Sequence, residues 1–360
     1  MNSLPNNIKK SLDSRASNGH LRVLQPRDLT KVDFMSNDYL GLANVPFENG
    51  FSSGSIGSRL ISGTSQTHLN VENNLATYYH AEASLVFNSG YNANLGLFSS
   101  IGSKRDLYLY DELIHASIRE GIRASVAASF KFKHNDIIDL KSRLNRLGYK
   151  YESVFVVVES IYSMDGDAAP LRELCSLEGI YLIVDEAHAL GYYKSGMVCE
   201  MGLENEVFAR VMTFGKAMGF HGAVVLGSDY LKSFLINYAK AFIYTTALSE
   251  SDMQEVWDRH LFIKDGEKTE VLRNKVEYYL NCVDDKPGFS TNSSSIQTVV
   301  IGNVDYVKRI ELELSQKGFA LKAILSPTVK KGEERLRICL HTYNSNQEIK
   351  ELIKLLEEYA

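Results

Sequence analysis

Four cysteines in 360 residues are too few and too scattered to carry a framework. Cys175, Cys199, Cys282 and Cys339 show no paired spacing, which excludes a zinc motif or a set of disulfides and fits a reducing cytosol. No apolar run reaches membrane-spanning length; the longest, such as Val154 to Val158, suit buried strands. The opening Met1-Asn-Ser-Leu-Pro-Asn-Asn lacks the apolar core of a secretory signal. These absences together predict a cytoplasmic protein with no membrane partner. Charge of one sign is lacking too: a net −5 gives no reason to expect nucleic acid. There is no internal repeat and no low-complexity segment.

What is present is an ordinary soluble composition, 44% hydrophobic and 23% charged, in a chain too long for one core. The pattern predicts an N-terminal segment at 1–32, a large domain at 33–248 and a small α/β domain at 249–360. In the large domain, strands alternate with helices. Strands are expected at Ala83 to Phe87, Leu107 to Tyr110, Val154 to Val158, Tyr181 to Val184, Val207 to Phe214 and Ala223 to Leu226. Helices are expected at His68 to His80, from Asn92, at His115 to Ala127, Ile137 to Leu147 and Leu171 to Leu177. Apolar strands without alternation, separated by helices, indicate an α/β fold with a mostly parallel sheet covered on both faces. Ligands of such sheets bind at the carboxyl ends of the strands. From Ser249 onward the chain reads as a charged helical stretch around Trp257 to Tyr279. A strand at Ser295 to Ile301, a helix to Gly318, a strand Leu336 to Leu340 and a closing helix from Gln347 follow.

Chemistry gathers after the strand ends. Lys216 sits between Gly215 and Gly219 with apolar runs on both sides. A lysine is by default a solvated surface group, but desolvation would lower its pKa and free its amine. A free amine forms a Schiff base with a carbonyl, above all with pyridoxal 5'-phosphate (PLP). Such a cofactor makes further demands, and the chain offers a candidate for each. Ser89-Gly90-Tyr91-Asn92 opens a helix after a strand, so its amides can cradle a phosphate; otherwise it is a plain strand-to-helix turn. Asp185 ends an apolar strand, where a carboxylate requires a cationic partner such as a pyridinium. His188 could donate to the ring's phenolate oxygen or cap its loop, and His115 could supply a flat face for stacking. Thr213 could give a hydroxyl to the phosphate. Glu159 and Ser163 also follow a strand end, where Asp165-Gly166 turns the chain. Arg337 offers a bidentate fork for a substrate carboxylate, with an amide from Asn37. By alternation Arg335 points to the same face and is not excluded. No residue set suggests a metal. A nicotinamide fingerprint is also missing, because no Gly-rich turn follows the first clear strand.

The order of these motifs resembles the α-oxoamine synthases, PLP-dependent transferases of the aspartate-aminotransferase fold, type I. The resemblance runs from Asp33 to the last helix. It rests on Ser36-Asn-Asp-Tyr-Leu-Gly-Leu, Gly57-Ser-Arg-Leu-Ile-Ser-Gly, Ser89-Gly-Tyr-Asn-Ala-Asn, His115-Ala-Ser, His134-Asn-Asp, Glu159 to Asp167, Asp185-Glu-Ala-His, Thr213-Phe-Gly-Lys and Arg335-Leu-Arg. It implies that Lys216 binds the cofactor carbonyl, His115 stacks on the ring and Asp185 pairs with the pyridine nitrogen. Ser163 and His188 would serve the phenolate oxygen, and Gly90 and Tyr91 the phosphate. Asn37 and Arg337 would hold the amino-acid carboxylate, with Glu159 beside the ring. The family implies a homodimer with sites at the subunit interface, where Thr245 or Thr246 reaches the neighbour's phosphate. Phe242-Ile-Tyr-Thr-Thr-Ala-Leu, Ser295-Ile-Gln and Ala323 to Val329 are most similar to the branch in biotin biosynthesis. That branch joins L-alanine to a pimeloyl group carried by coenzyme A or a carrier protein. Branches using glycine or serine with another acyl-CoA, and a PLP aminotransferase, are the alternatives. The chain departs from the family in a short link between Leu42 and Gly54, in Ser249-Glu250 for a Pro-Pro pair, in Ala-Leu-Gly after His188 and in Lys330 for a proline.

Overall fold

The computed structural model describes every residue except 1–5, 20, 23, 25, 285 and 360. In chain order its strands are β1 (Val32–Asp33), β2 (Ala83–Phe87), β3 (Asp106–Asp111), β4 (Ala128–Phe132), β5 (Ser153–Glu159) and β6 (Tyr181–Asp185). They continue with β7 (Ala209–Thr213), β8 (Ala223–Gly227), β9 (Ile296–Val300), β10 (Phe319–Ala320), β11 (Lys322–Ile324) and β12 (Arg335–Cys339). The apolar, β-branched run of β5 shows why the main sheet forms. Val154, Val156 and Val158 face one layer of the core, and Phe155 and Val157 the other. Each fully buried valine contributes about 2 kcal/mol of apolar burial.

The main sheet has seven strands in the order β2-β8-β7-β6-β5-β3-β4. Only β8 is antiparallel to its neighbours, so the carboxyl ends of β2, β3, β5, β6 and β7 share one edge. Helices Gly90–Ile101 and Ala116–Ala124 cover one face through Leu97, Phe98 and Ile118. Helices Gln66–Tyr78 and Glu250–Ile263 cover the other through Leu75 and Val256. A second sheet, β11-β12-β9, is antiparallel and packs under helices Glu267–Val283, Val304–Gln316 and Asn346–Leu356. Val32 pairs with Phe319, and Phe34 joins the apolar cluster under this second sheet.

Two expectations change in detail. The helix expected at His115 to Ala127 stops at Ala124, and β4 follows. β4 is an edge strand with Ser129, Phe130 and Lys131 exposed, so no apolar run marks it. The single helical stretch around Trp257 to Tyr279 is two helices, broken at Gly266 with φ of +88°. The N-terminal segment holds a helix, Asn6–Ser17, with none of its residues buried; the expectation at 1–5, 20, 23 and 25 lies outside the described residues. Among the described residues no helix is long and apolar enough to cross a membrane.

Candidate active site

Five strand ends converge on one cleft. Its lining includes Gly90, Tyr91, Asn94, His115, Glu159, Asp185, His188, Thr213 and Lys216. Each arrives for a local reason. After β2, Ser89 caps helix Gly90–Ile101 by accepting from the Asn92 amide at 3.1 Å, which leaves the first amides of the helix free at the cleft. After β3, His115 caps helix Ala116–Ala124: its Nδ1 lies 2.8 Å from Ser117 Oγ, and its backbone amide donates to Glu159 Oε1. After β7, the chain turns at Gly215 and brings Lys216 into the cleft.

The electrostatics are those of a buried reactive amine. Burial holds the Lys216 ammonium below its ordinary pKa, although the charges of Asp185 and Glu159 oppose it. Burial, with the charge of Asp185, pushes the Glu159 carboxyl up to about 8. His115 is held below its usual value mainly by burial, and His188 well below, so both imidazoles are neutral at pH 7. Asp185 is buried, with Oδ2 accepting from Asn94 Nδ2 at 2.8 Å and Oδ1 from the Ala187 amide at 2.9 Å.

These residues fit PLP on three observations. The buried Thr213 hydroxyl has no partner among the described residues. A Cβ on Gly90 would stand 2.6 Å from Thr213 Cγ2, so glycine keeps open the space between the helix amides and that hydroxyl. Asp185 accepts only neutral donors and makes no ion pair among the described residues, which suits it to a protonated ring nitrogen. A phosphate, a ring cation and a carbonyl each find their complement here.

Arg337, in β12 of the second sheet, meets Asn37 and the turn after β5. Arg337 Nη2 donates to Asn37 Oδ1 at 3.1 Å, and its Nε to the Ser163 carbonyl at 2.6 Å. Arg335, left open by alternation, is taken up by Asp165 and Glu333. Ser163 is thus brought to Arg337 through its backbone. Thr246 does not line the Lys216 cleft of its own chain; it sits with Thr245, Asn88 and Arg59 around a separate recess. The sequence reading missed Tyr39, whose hydroxyl lies 2.8 Å from His188 Nδ1 and 3.1 Å from Asn37 Oδ1. It also missed Asn94 and Ser117, which are 3.0 Å apart and support Asp185 and His115. Asn94 lies one turn into the helix that Gly90 opens, and that spacing was the available signal. Among the described residues no cluster of His, Cys, Asp or Glu could hold a metal.

Residues 30–356 match the family described as aminotransferase class I and II. An 8-amino-7-oxononanoate synthase of Emericella nidulans is 36% identical over 98% of this chain and 95% of its own. One from Vibrio campbellii is 33% identical over 94% and 91%. Among solved structures, a serine palmitoyltransferase of Sphingomonas wittichii superposes with a TM-score of 0.88 at 26% identity, over 98% of this chain and 96% of that one. An 8-amino-7-oxononanoate synthase of Francisella tularensis gives 0.76 at 25%, over 92% and 98%.

Proposed function

We propose, from the premise that the chain belongs to the aminotransferase class I and II family and within it to the α-oxoamine synthases, that it is an 8-amino-7-oxononanoate synthase: a PLP-dependent C-acyltransferase. In this reading it condenses L-alanine with a pimeloyl thioester, releasing CO2 and the thiol. The observation that carries it is Lys216 at a buried strand end beside Asp185, in a chain matched end to end by synthases of that name. When bound, PLP supplies a carbonyl for amines and a ring that takes up the electron pair of a deprotonated carbon. The chain's own groups do the rest. Lys216, its pKa lowered by burial, would hold the cofactor carbonyl and, once the alanine amine has displaced it, would take a proton from the alanine Cα. Asp185 keeps the ring nitrogen protonated, held in place by Asn94 and the Ala187 amide. His115 covers the ring face, with Glu159 behind it bonded to its backbone amide. Neutral His188, with Tyr39 on its Nδ1, and Ser163 attend the phenolate oxygen. Arg337 and Asn37 hold the amino-acid carboxylate and so fix which Cα bond faces Lys216.

The working unit in this reading is a cytoplasmic homodimer, with Thr246 of one copy reaching the phosphate in the other. The acyl carrier is coenzyme A or a carrier protein. Similarity to serine palmitoyltransferase, at a TM-score of 0.88, keeps a serine- or glycine-using reading as the alternative. The absorbance spectrum of the PLP-loaded protein separates them. A visible band that shifts on adding L-alanine, and not glycine or L-serine, supports the alanine reading. A shift with serine or glycine alone transfers the chain to the alternative. No band after soaking in PLP removes both.

A further inference from the structure

His134 lies outside the cleft, yet both its ring nitrogens are engaged by carboxylates. Nδ1 is 3.0 Å from Asp111 Oδ1 and Nε2 is 2.8 Å from Asp167 Oδ2. Carboxylates only accept, so both nitrogens must donate, and only the imidazolium carries two N–H groups. A charged ring between two carboxylates is a strong, directional tie. The Tyr162 ring closes it edge-on, with centroids 4.4 Å apart. Asn135 doubles it, giving its backbone amide to Asp111 Oδ2 at 2.8 Å and its side chain to Asp167 Oδ2 at 2.8 Å.

The two carboxylates belong to different arms of the site. Asp111 is fully buried at the end of β3 and accepts from the Leu113 amide at 2.8 Å, shaping the turn that delivers His115. Asp167 ends the tight turn after β5, closed by Tyr162 N to Asp167 O at 3.0 Å and Gly166 N to Tyr162 O at 2.8 Å. That turn reaches across to the second sheet. Its Ser163 carbonyl accepts from Arg337 Nε, and its Asp165 holds Arg335. Gly166 packs so closely on β9 that a Cβ there would stand 2.1 Å from the Ile296 carbonyl.

We infer that His134, through Asp167, is a positioning residue for amino-acid binding: it fixes the Tyr162–Asp167 turn on the large sheet and thereby sets where Arg337 stands. The inference rests on the reading of Arg337 as the group that holds the amino-acid carboxylate. His134 lies outside the cleft, and Asp167→Asn loosens only its tie to the Tyr162–Asp167 turn, leaving Asp111 and the turn that delivers His115 in place. The test uses three PLP-loaded variants: His134→Gln, Asp167→Asn and Arg337→Lys. The readouts are the L-alanine dissociation constant from the spectral shift, the KM of each substrate and retention of the cofactor. His134→Gln and Asp167→Asn are expected to weaken alanine binding about tenfold, since small misplacements at an oriented site cost that much or more. Thioester KM and cofactor retention stay near those of the parent. Unchanged alanine binding in both, with Arg337→Lys impaired, overturns the inference and leaves the reading of Arg337 standing. Equal losses in all parameters, or loss of cofactor, also overturn it, because a merely structural tie would act that way. Unchanged alanine binding in Arg337→Lys removes the reading beneath it. Asp167 is one-third exposed, so Asp167→Asn gives a folded variant that decides the matter where His134→Gln does not fold.

Discussion

Gly90 is required for the space it leaves. Its backbone is helical and tolerates any residue; a Cβ, however, would stand 2.6 Å from Thr213 Cγ2, inside the proposed phosphate cradle. Gly90→Ala should therefore weaken the cofactor, and the contact with the buried Thr213 methyl offsets any gain from helix propensity. We expect PLP titration of the apoprotein to show at least about tenfold lower affinity, near 1.4 kcal/mol. Unaltered affinity would put the phosphate elsewhere. Legibility at this scale follows from chain position. Lys216, His115 and Asp185 each stand at or just beyond the end of an apolar strand, where a sequence alone marks them. Tyr39 and His188 meet across a separation of 149 residues, and no local pattern announces that pairing. Arg335 and Arg337 share a face in sequence and in structure; only their partners, Asp165 and Asn37, tell them apart.

Elements add what single residues do not show. The five strands whose ends build the site were legible because they are apolar on both faces. β4 was not, because an edge strand carries polar and exposed side chains. Yet β4 delivers His134 to the tie between the turns after β3 and β5. That tie should be visible in stability against pH. The carboxylates of Asp111 and Asp167 outweigh the cost of burial and raise His134 to about 10 from an ordinary 6.5. A raised pKa contributes stability that is complete below 6.5 and is lost as pH climbs through about 10. The groups facing the ring are Asp111, Asp167 and Tyr162, and burial keeps the Tyr162 phenol neutral to higher pH still. The melting-temperature gap between the parent and His134→Gln should then be widest near pH 6 and shrink by pH 11. A gap independent of pH would mean that the ring acts through packing.

At the scale of the whole molecule, the cleft of one chain offers helix amides and Thr213 to a phosphate, while Thr246 faces a different recess. Thr246 is nevertheless held firmly. It bridges to Ser58, and Asn88 donates to its carbonyl at 3.4 Å and to Thr245 Oγ1 at 3.0 Å. In the proposed two-fold dimer, a residue so placed would serve the phosphate of the neighbouring copy. Complementation tests this. Lys216→Ala removes the reacting amine, and Thr246→Asp sets a carboxylate against the phosphate, so each variant alone should be inactive. When the two chains are unfolded together and reassociated, a mixed dimer gathers both lesions in one site and leaves the other intact. Random pairing makes half the dimers mixed, with one working site of two, so about a quarter of the parental activity should return. If each site is built from a single chain, every site carries one lesion and mixing restores nothing. Recovery near a quarter thus demands that Lys216 and Thr246 of one working site come from different chains.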